Sequence, residues 1–153
     1  MKQKTDTARD GKAHTELAVW IRMLKLHNLV FRQARQRLVP FCTMAQFDVL
    51  AQLSRSTNGS TPAELSRHLL VTAGNITGLV DRMEKAGLVS RTPDPKDRRT
   101  IRLHLTDKGK EMARTVIPRH SQDIRDAFGS LNETELAELR GLLDKLIGGL
   151  TKE

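Results

Sequence analysis

The sequence has no tyrosine and a single cysteine, Cys42. One thiol cannot close a disulfide within a chain, so a cystine-stapled scaffold is excluded and a reducing compartment suits the protein. Aromatic residues make up only 3% of the chain. Single-stranded nucleic acid is held largely by stacking bases on exposed rings, so this scarcity weighs against that mode of binding. No run of about 18 apolar residues occurs, the length a membrane-spanning helix needs. Residues 1–12 are polar and charged, without the apolar segment of a secretory signal. A cytoplasmic protein without a membrane partner is therefore expected. Neither a glycine-rich phosphate loop nor a nucleophile elbow is present, so an enzyme is not expected. His14, His27, His68, His104 and His120 have no metal-ligand spacing with one another or with Cys42, so neither a metal nor another cofactor is expected.

What the chain does have is positive charge. Its 26 lysines and arginines outnumber 18 acidic residues, for a formal net charge of +8. Such a balance favours an anionic partner such as nucleic acid. An apolar content of 38% is enough for a packed core, and 153 residues suit one domain or one two-lobed unit.

Helix starts punctuate the chain. Residues 1–13 read as a disordered tail and residues 14–38 as one long helix, with Leu17, Ile21, Leu24 and Phe31 near one face. Pro40 ends it, because a residue before proline is pushed out of the helical region. Thr43 and Gln46 form a capping box for a helix to about Ser56 that buries Phe47, Leu50 and Leu53. Thr61-Pro62-Ala63-Glu64 is a second box, with proline at the first helical position. Thr72 caps a further helix through Ala86 with Ile76, Leu79, Val80 and Met83 inward, and Gly87 supplies the left-handed stop. The period then changes. Residues 88–91 and 101–105 read as paired strands, the second alternating Ile101, Leu103 and Leu105 with Arg102 and His104. Thr106 caps a helix towards Phe128 that Pro118 should kink or break. Asn132 and Glu135 box a last helix, which Gly148-Gly149 should end.

Two short helices joined through Leu70-Val71 and followed by a hairpin predict a winged helix-turn-helix lobe over residues 43–105. The fold class is thus mainly α with a small β-hairpin wing, flanked by N-terminal (14–40) and C-terminal (106–150) dimerisation helices. A helix fits the major groove of B-DNA. Ala73 and Gly74 keep the first turn of the second helix narrow. Asn75 suits adenine, Thr77 offers a hydroxyl and a methyl, and Arg82 reaches guanine or phosphate. In the hairpin, Lys96, Arg98 and Arg99 crowd one tip, and a narrow minor groove attracts arginine. Asp94 and Asp97 are expected to hold those guanidinium groups in position. The helix start at Thr61 is expected to offer amides to a phosphate.

Five stretches together resemble the multiple antibiotic resistance regulator (MarR) family. They are Gln46-Phe47-Asp48-Val49-Leu50, Thr61-Pro62-Ala63-Glu64-Leu65, the run from Gly78 to Val89, Asp94-Pro95-Lys96-Asp97-Arg98-Arg99, and Leu105-Thr106-Asp107-Lys108-Gly109. The resemblance implies a homodimer with intertwined terminal helices that binds a pseudo-palindromic double-stranded DNA operator, most simply as a ligand-responsive repressor. The alternatives are an activator on the same fold or an architectural DNA-binding protein without sequence preference. It makes residues 72–82, with Thr72 and Gly74 at their start, the reading helix and Arg99 the signature wing arginine. It also implies a small aromatic or anionic effector between the dimer helices and the DNA lobe. Trp20, Met23, His27 and Phe47 are the candidate ligand contacts. Cys42, just before a helix start where the macrodipole lowers a thiol pKa, is the candidate redox site, although no second cysteine resolves it.

Overall fold

The computed structural model describes residues 6–69, 73–97 and 99–151, with side chains from His14 onward except that of Ala73. The elements run α1 (Asp6–Leu38), α2 (Met44–Ser54), α3 (Pro62–Leu69), α4 (Ala73–Lys85), β1 (Val89–Pro93), β2 (Ile101–Leu105), α5 (Asp107–Ala127) and α6 (Glu133–Leu150). The core is one cluster built by the inner faces of α2, α3, α4 and the first half of α5, closed by β1 and β2. Leu50, Leu65, Ile76, Val80, Met83 and Leu103 lie at its centre, each fully buried. Burying each such side chain contributes roughly 1.5–3 kcal/mol, so this lobe carries most of the described packing.

The caps are where local sequence places them. The Gln46 amide donates to the Thr43 hydroxyl (3.2 Å), while the Gln46 side chain accepts from the Thr43 amide (2.9 Å). Asn132 and Glu135 make the same reciprocal pair. Gly59 turns the chain at φ 69° and packs so tightly against His104 and the Leu103 carbonyl that no side chain fits there. β1 and β2 pair antiparallel, with Val89 opposite Leu105 and Pro93 opposite Ile101. Ser60 extends this ladder by one bridge: its amide donates to the Leu103 carbonyl (3.1 Å) and its carbonyl accepts from the Leu103 amide (2.9 Å).

Four boundaries differ from expectation. The first helix already runs at Asp6, inside the stretch expected to be disordered, because residues 6–13 carry several good helix formers against one glycine. The first wing strand is displaced to Val89–Pro93, since antiparallel pairing with β2 extends it to the edge position a proline tolerates. Pro118 does not break α5, which is continuous from Asp107 to Ala127. An interior proline costs about 3 kcal/mol. Ala113 and Val116, buried just before it, and Ile117, packed on the core, together outweigh that cost. Gly148-Gly149 does not end α6, which runs on to Leu150. The stop comes from Thr151, whose amide and hydroxyl both bond the Ile147 carbonyl at 3.0 Å.

α1 lies chiefly along α5 and also meets α2, and α6 buries none of its residues. Apolar side chains on both helices face outward, among them Leu17, Trp20 (54% exposed) and Ile21 on α1, and Leu142 (63%), Leu146 and Ile147 on α6. Among the described residues, no helix is long and apolar enough to cross a membrane.

Candidate nucleic-acid interface

α4 is an amphipathic helix with a locked back and an open front. Ile76, Leu79, Val80 and Met83 anchor it in the core, which leaves Gly74, Asn75, Thr77 and Arg82 exposed. The Arg82 guanidinium folds back one turn towards Gly78, where a methyl group would lie 3.5 Å from it. Asn75 and Arg82 share a hollow of about 270 Å³ with Ala45, Asp48 and Leu69. The Leu70-Val71 junction and the Thr72 cap fall outside the described residues. The helix is also tied to the wing. Arg91 on β1 donates to Asp81 and to Glu84, each at 2.5 Å, and so ties the wing to α4. Asp81, with its side chain 47% exposed, is thus on the solvent side and also engaged by the wing.

The wing tip is braced through its backbone. Asp94 is buried (7% exposed), and its Oδ1 accepts from the amides of Lys96 (2.7 Å) and Asp97 (3.2 Å). Asp97 accepts from the Arg99 amide (3.0 Å) and the Thr100 hydroxyl (2.9 Å). Both aspartates thus fix the tip through its backbone, and among the described residues neither grips the Arg99 guanidinium as expected. Carboxylates two or three residues before an amide reach it more easily than a distal side chain. The guanidinium Asp94 does hold is that of Arg102, through Arg102 Nε. Arg102 also donates to the Gly59 carbonyl (3.3 Å) and lies 4.0 Å from Glu64. The Arg102 bond, followed by the Lys96 amide, holds the Asp94 carboxyl below the usual carboxylate range. Arg102 is the functional position that sequence reading missed. Its only signal was an arginine on a strand, next to a buried apolar position. Lys96 and Arg99 are left exposed at the tip; Arg98 falls outside the described residues.

At the start of α3, the Thr61 amide donates to Glu64 (2.8 Å) and the Glu64 amide to the Thr61 hydroxyl (3.1 Å). Pro62 has no amide hydrogen, so the Ala63 amide alone stays outside the box. The expected offer of several amides to a phosphate at Thr61 shrinks to that one, because the capping residues consume the rest.

The candidate effector residues divide. Met23 and His27 line a cleft of about 460 Å³ between α1, α2, α5 and α6. Trp20 faces outward from α1, beyond that lining, and Phe47 is core, its ring 4.3 Å from that of His120. Their helical spacing did not reveal which side of α1 or α2 meets the cleft. Asp48 and His120, neither singled out from sequence, do line it. Burial pushes the Asp48 carboxyl up, opposed by the charge of His120. Burial also pushes the Cys42 thiol up, with Asp48 adding to the effect. The expected macrodipole activation of Cys42 is thus overturned: at 7% exposure, desolvation disfavours its thiolate.

A helix-turn-helix whose second helix and hairpin are tied together defines the class: a winged helix-turn-helix with appended terminal helices. A family model described as "MarR family" matches residues 43–100. The HTH-type transcriptional repressor NicR of Pseudomonas putida is 36% identical over 121 residues, which cover 79% of this chain and 75% of NicR. The chain belongs to the MarR family. The crystal structure of AbsC, a MarR family transcriptional regulator from Streptomyces coelicolor, matches with TM-score 0.83 and 30% identity over 91% of this chain and 96% of AbsC. A mutant Escherichia coli MarR complexed with operator DNA matches with TM-score 0.73 and 32% identity over 86% of this chain and 93% of that one. Against several other curated relatives the match spans between 53% and 63% of the relative's length.

Proposed function

We propose that this protein is a cytoplasmic, non-enzymatic transcriptional repressor that binds a pseudo-palindromic operator in double-stranded DNA as a ligand-responsive homodimer. Residues 43–105 form the DNA-binding lobe, and residues 14–40 and 106–150 the dimerisation helices. The observation that carries the reading is the pairing of two braced probes. The front of α4 presents Asn75, Thr77 and Arg82 while Arg91 ties the helix to the wing, and the wing presents Lys96 and Arg99 on a tip fixed by Asp94 and Asp97. Preorganised groups lose little entropy on binding, which is what sequence readout needs. In this reading α4 enters the major groove and the wing an adjacent minor groove, with Thr61 and Thr72 at the flanking phosphates. The uncovered apolar faces of α1 and α6 support the homodimer. Ligand response is supported by Asp48, which lines both the cleft and the hollow containing Asn75 and Arg82.

The test is selection of bound duplexes from a random pool, followed by competition against random duplex. A repressor should prefer its operator by roughly a thousandfold or more. Equal affinity for random duplex would instead establish an architectural protein.

A further inference from the structure

Resting on the reading of the cleft between α1, α2, α5 and α6 as the effector site, we propose that its ligand is an aromatic or apolar molecule carrying a neutral hydrogen-bond donor or a positive charge, and that anions are rejected. The cleft walls are apolar, with Met23, Leu26, Val30, Phe31, Ile124 and Leu143 among them. Its polar lining is Asp48, His27 and His120, and among the described residues no lysine or arginine contributes to it. An anion entering such a space loses its hydration and meets the Asp48 carboxyl, with no lysine or arginine in the described lining to answer it, at a cost of several kcal/mol in any largely apolar site. Arg37, in the adjoining groove along α1 and α5, is bonded to Asp123 and lies 3.6 Å from Asp126, so its charge is already answered.

The Asp48 carboxyl is placed for the opposite kind of ligand. Asp48 is a half-buried carboxyl at the cleft wall, and no hydrogen bond to its side chain is made by the described residues. His120 lines the same wall, and its Nδ1 is sealed from solvent without a hydrogen-bond partner among the described residues. A buried polar group left unpaired costs about 1–3 kcal/mol, which a ligand donating to the Asp48 carboxyl recovers, whereas a carboxylate would set a second like charge beside it. The charge of the whole molecule argues in the other direction. At +8 the protein attracts anions generally, so a preference for cations at this cleft is a local property that long-range attraction cannot mimic.

The experiment compares three probes that share one ring and one substituent carbon: benzoate, benzyl alcohol and benzylamine. Each is titrated into the full chain at neutral pH by calorimetry, and the site is located from the ring resonances of His27 and His120. Benzylamine and benzyl alcohol should each bind at least tenfold more tightly than benzoate and move the His120 signals. In Asp48→Asn the benzylamine advantage over benzyl alcohol should disappear. The wild-type order is a test in its own right, whatever the stability of the variant. Benzoate binding as tightly as benzylamine would overturn the ligand class while leaving the cleft as effector site. Binding of all three elsewhere, or of none, with operator binding intact, would overturn both; the latter is the result expected if a second copy of the chain fills the cleft.

Discussion

Arg99 and Arg102 stand three residues apart and do different work. Among the described residues Arg99 is held by its backbone amide, through Asp97, and its side chain is exposed at the tip. Arg99→Ala should therefore weaken operator binding by about tenfold or more while leaving the melting temperature unchanged. Gel-shift titration checks this, and wild-type affinity would remove Arg99 from the interface. Arg102 is bonded inward to Asp94 and the Gly59 carbonyl. Arg102→Ala leaves a buried carboxyl without its cation, and amide exchange at Lys96, Arg99 and Thr100 should accelerate. Acid should reach the same end in the unaltered protein. The folded-state pKa of Asp94 lies below its unfolded value, so its contribution is complete above the ordinary aspartate range near about pH 4 and is lost only as pH falls through the lowered value. Wing amide shifts should hold constant from neutral pH down to that range and move below it. Asp48 has the opposite sign. Its raised pKa makes ionisation unfavourable to folding above the carboxylate range, so Asp48→Asn should raise the melting temperature at neutral pH and leave it unchanged in acid.

Much of the secondary structure was legible because caps are local. Thr43 with Gln46, Thr61 with Glu64 and Asn132 with Glu135 are each three residues apart, so residue type and spacing settle the geometry. The face of α4 was legible for the same reason, since one helical period fixes which residues turn inward. The braces were not. Arg91 meets Asp81 and Glu84 only once the register of β1 against β2 and the packing of β1 on α4 are set. The link from Arg102 to Gly59 spans 43 positions. The cleft lining was half legible, because Met23 and His27 belong to it whereas its carboxyl comes from α2 and its second imidazole from α5. Pro118 shows tertiary packing overruling a local rule. Pro118→Ala restores a backbone donor to the Arg114 carbonyl and removes a ring clash, and should stabilise the fold by about 1–3 kcal/mol. Thermal unfolding measures it, and an unchanged or lowered midpoint would show that α5 already accommodates the ring without cost.

At the scale of the molecule, the chain is a well-packed lobe with two helices whose apolar faces have no cover within it. Leu142→Asp on α6 should lower the mass measured by sedimentation equilibrium to that of one chain, with the lobe still folded by circular dichroism. A dimer surviving that change would exclude α6 from the contact. Between lobe and outer helices runs α5. Its first turn is tied to the wing root, where the Thr106 hydroxyl donates to the Gly87 carbonyl at 2.6 Å. Gly109 there sits so close to the Leu88 carbonyl that a methyl group would overlap it. Its far end supplies Ile124 to the cleft. With 21 residues, α5 is a rod of about 31 Å. Pivoting by about 5° at its middle swings each tip by about 1.4 Å, in opposite directions. One continuous helix thus joins the cleft at Ile124 to the wing root, where Gly109 presses against Leu88, so a rigid shift of either end would be passed to the other.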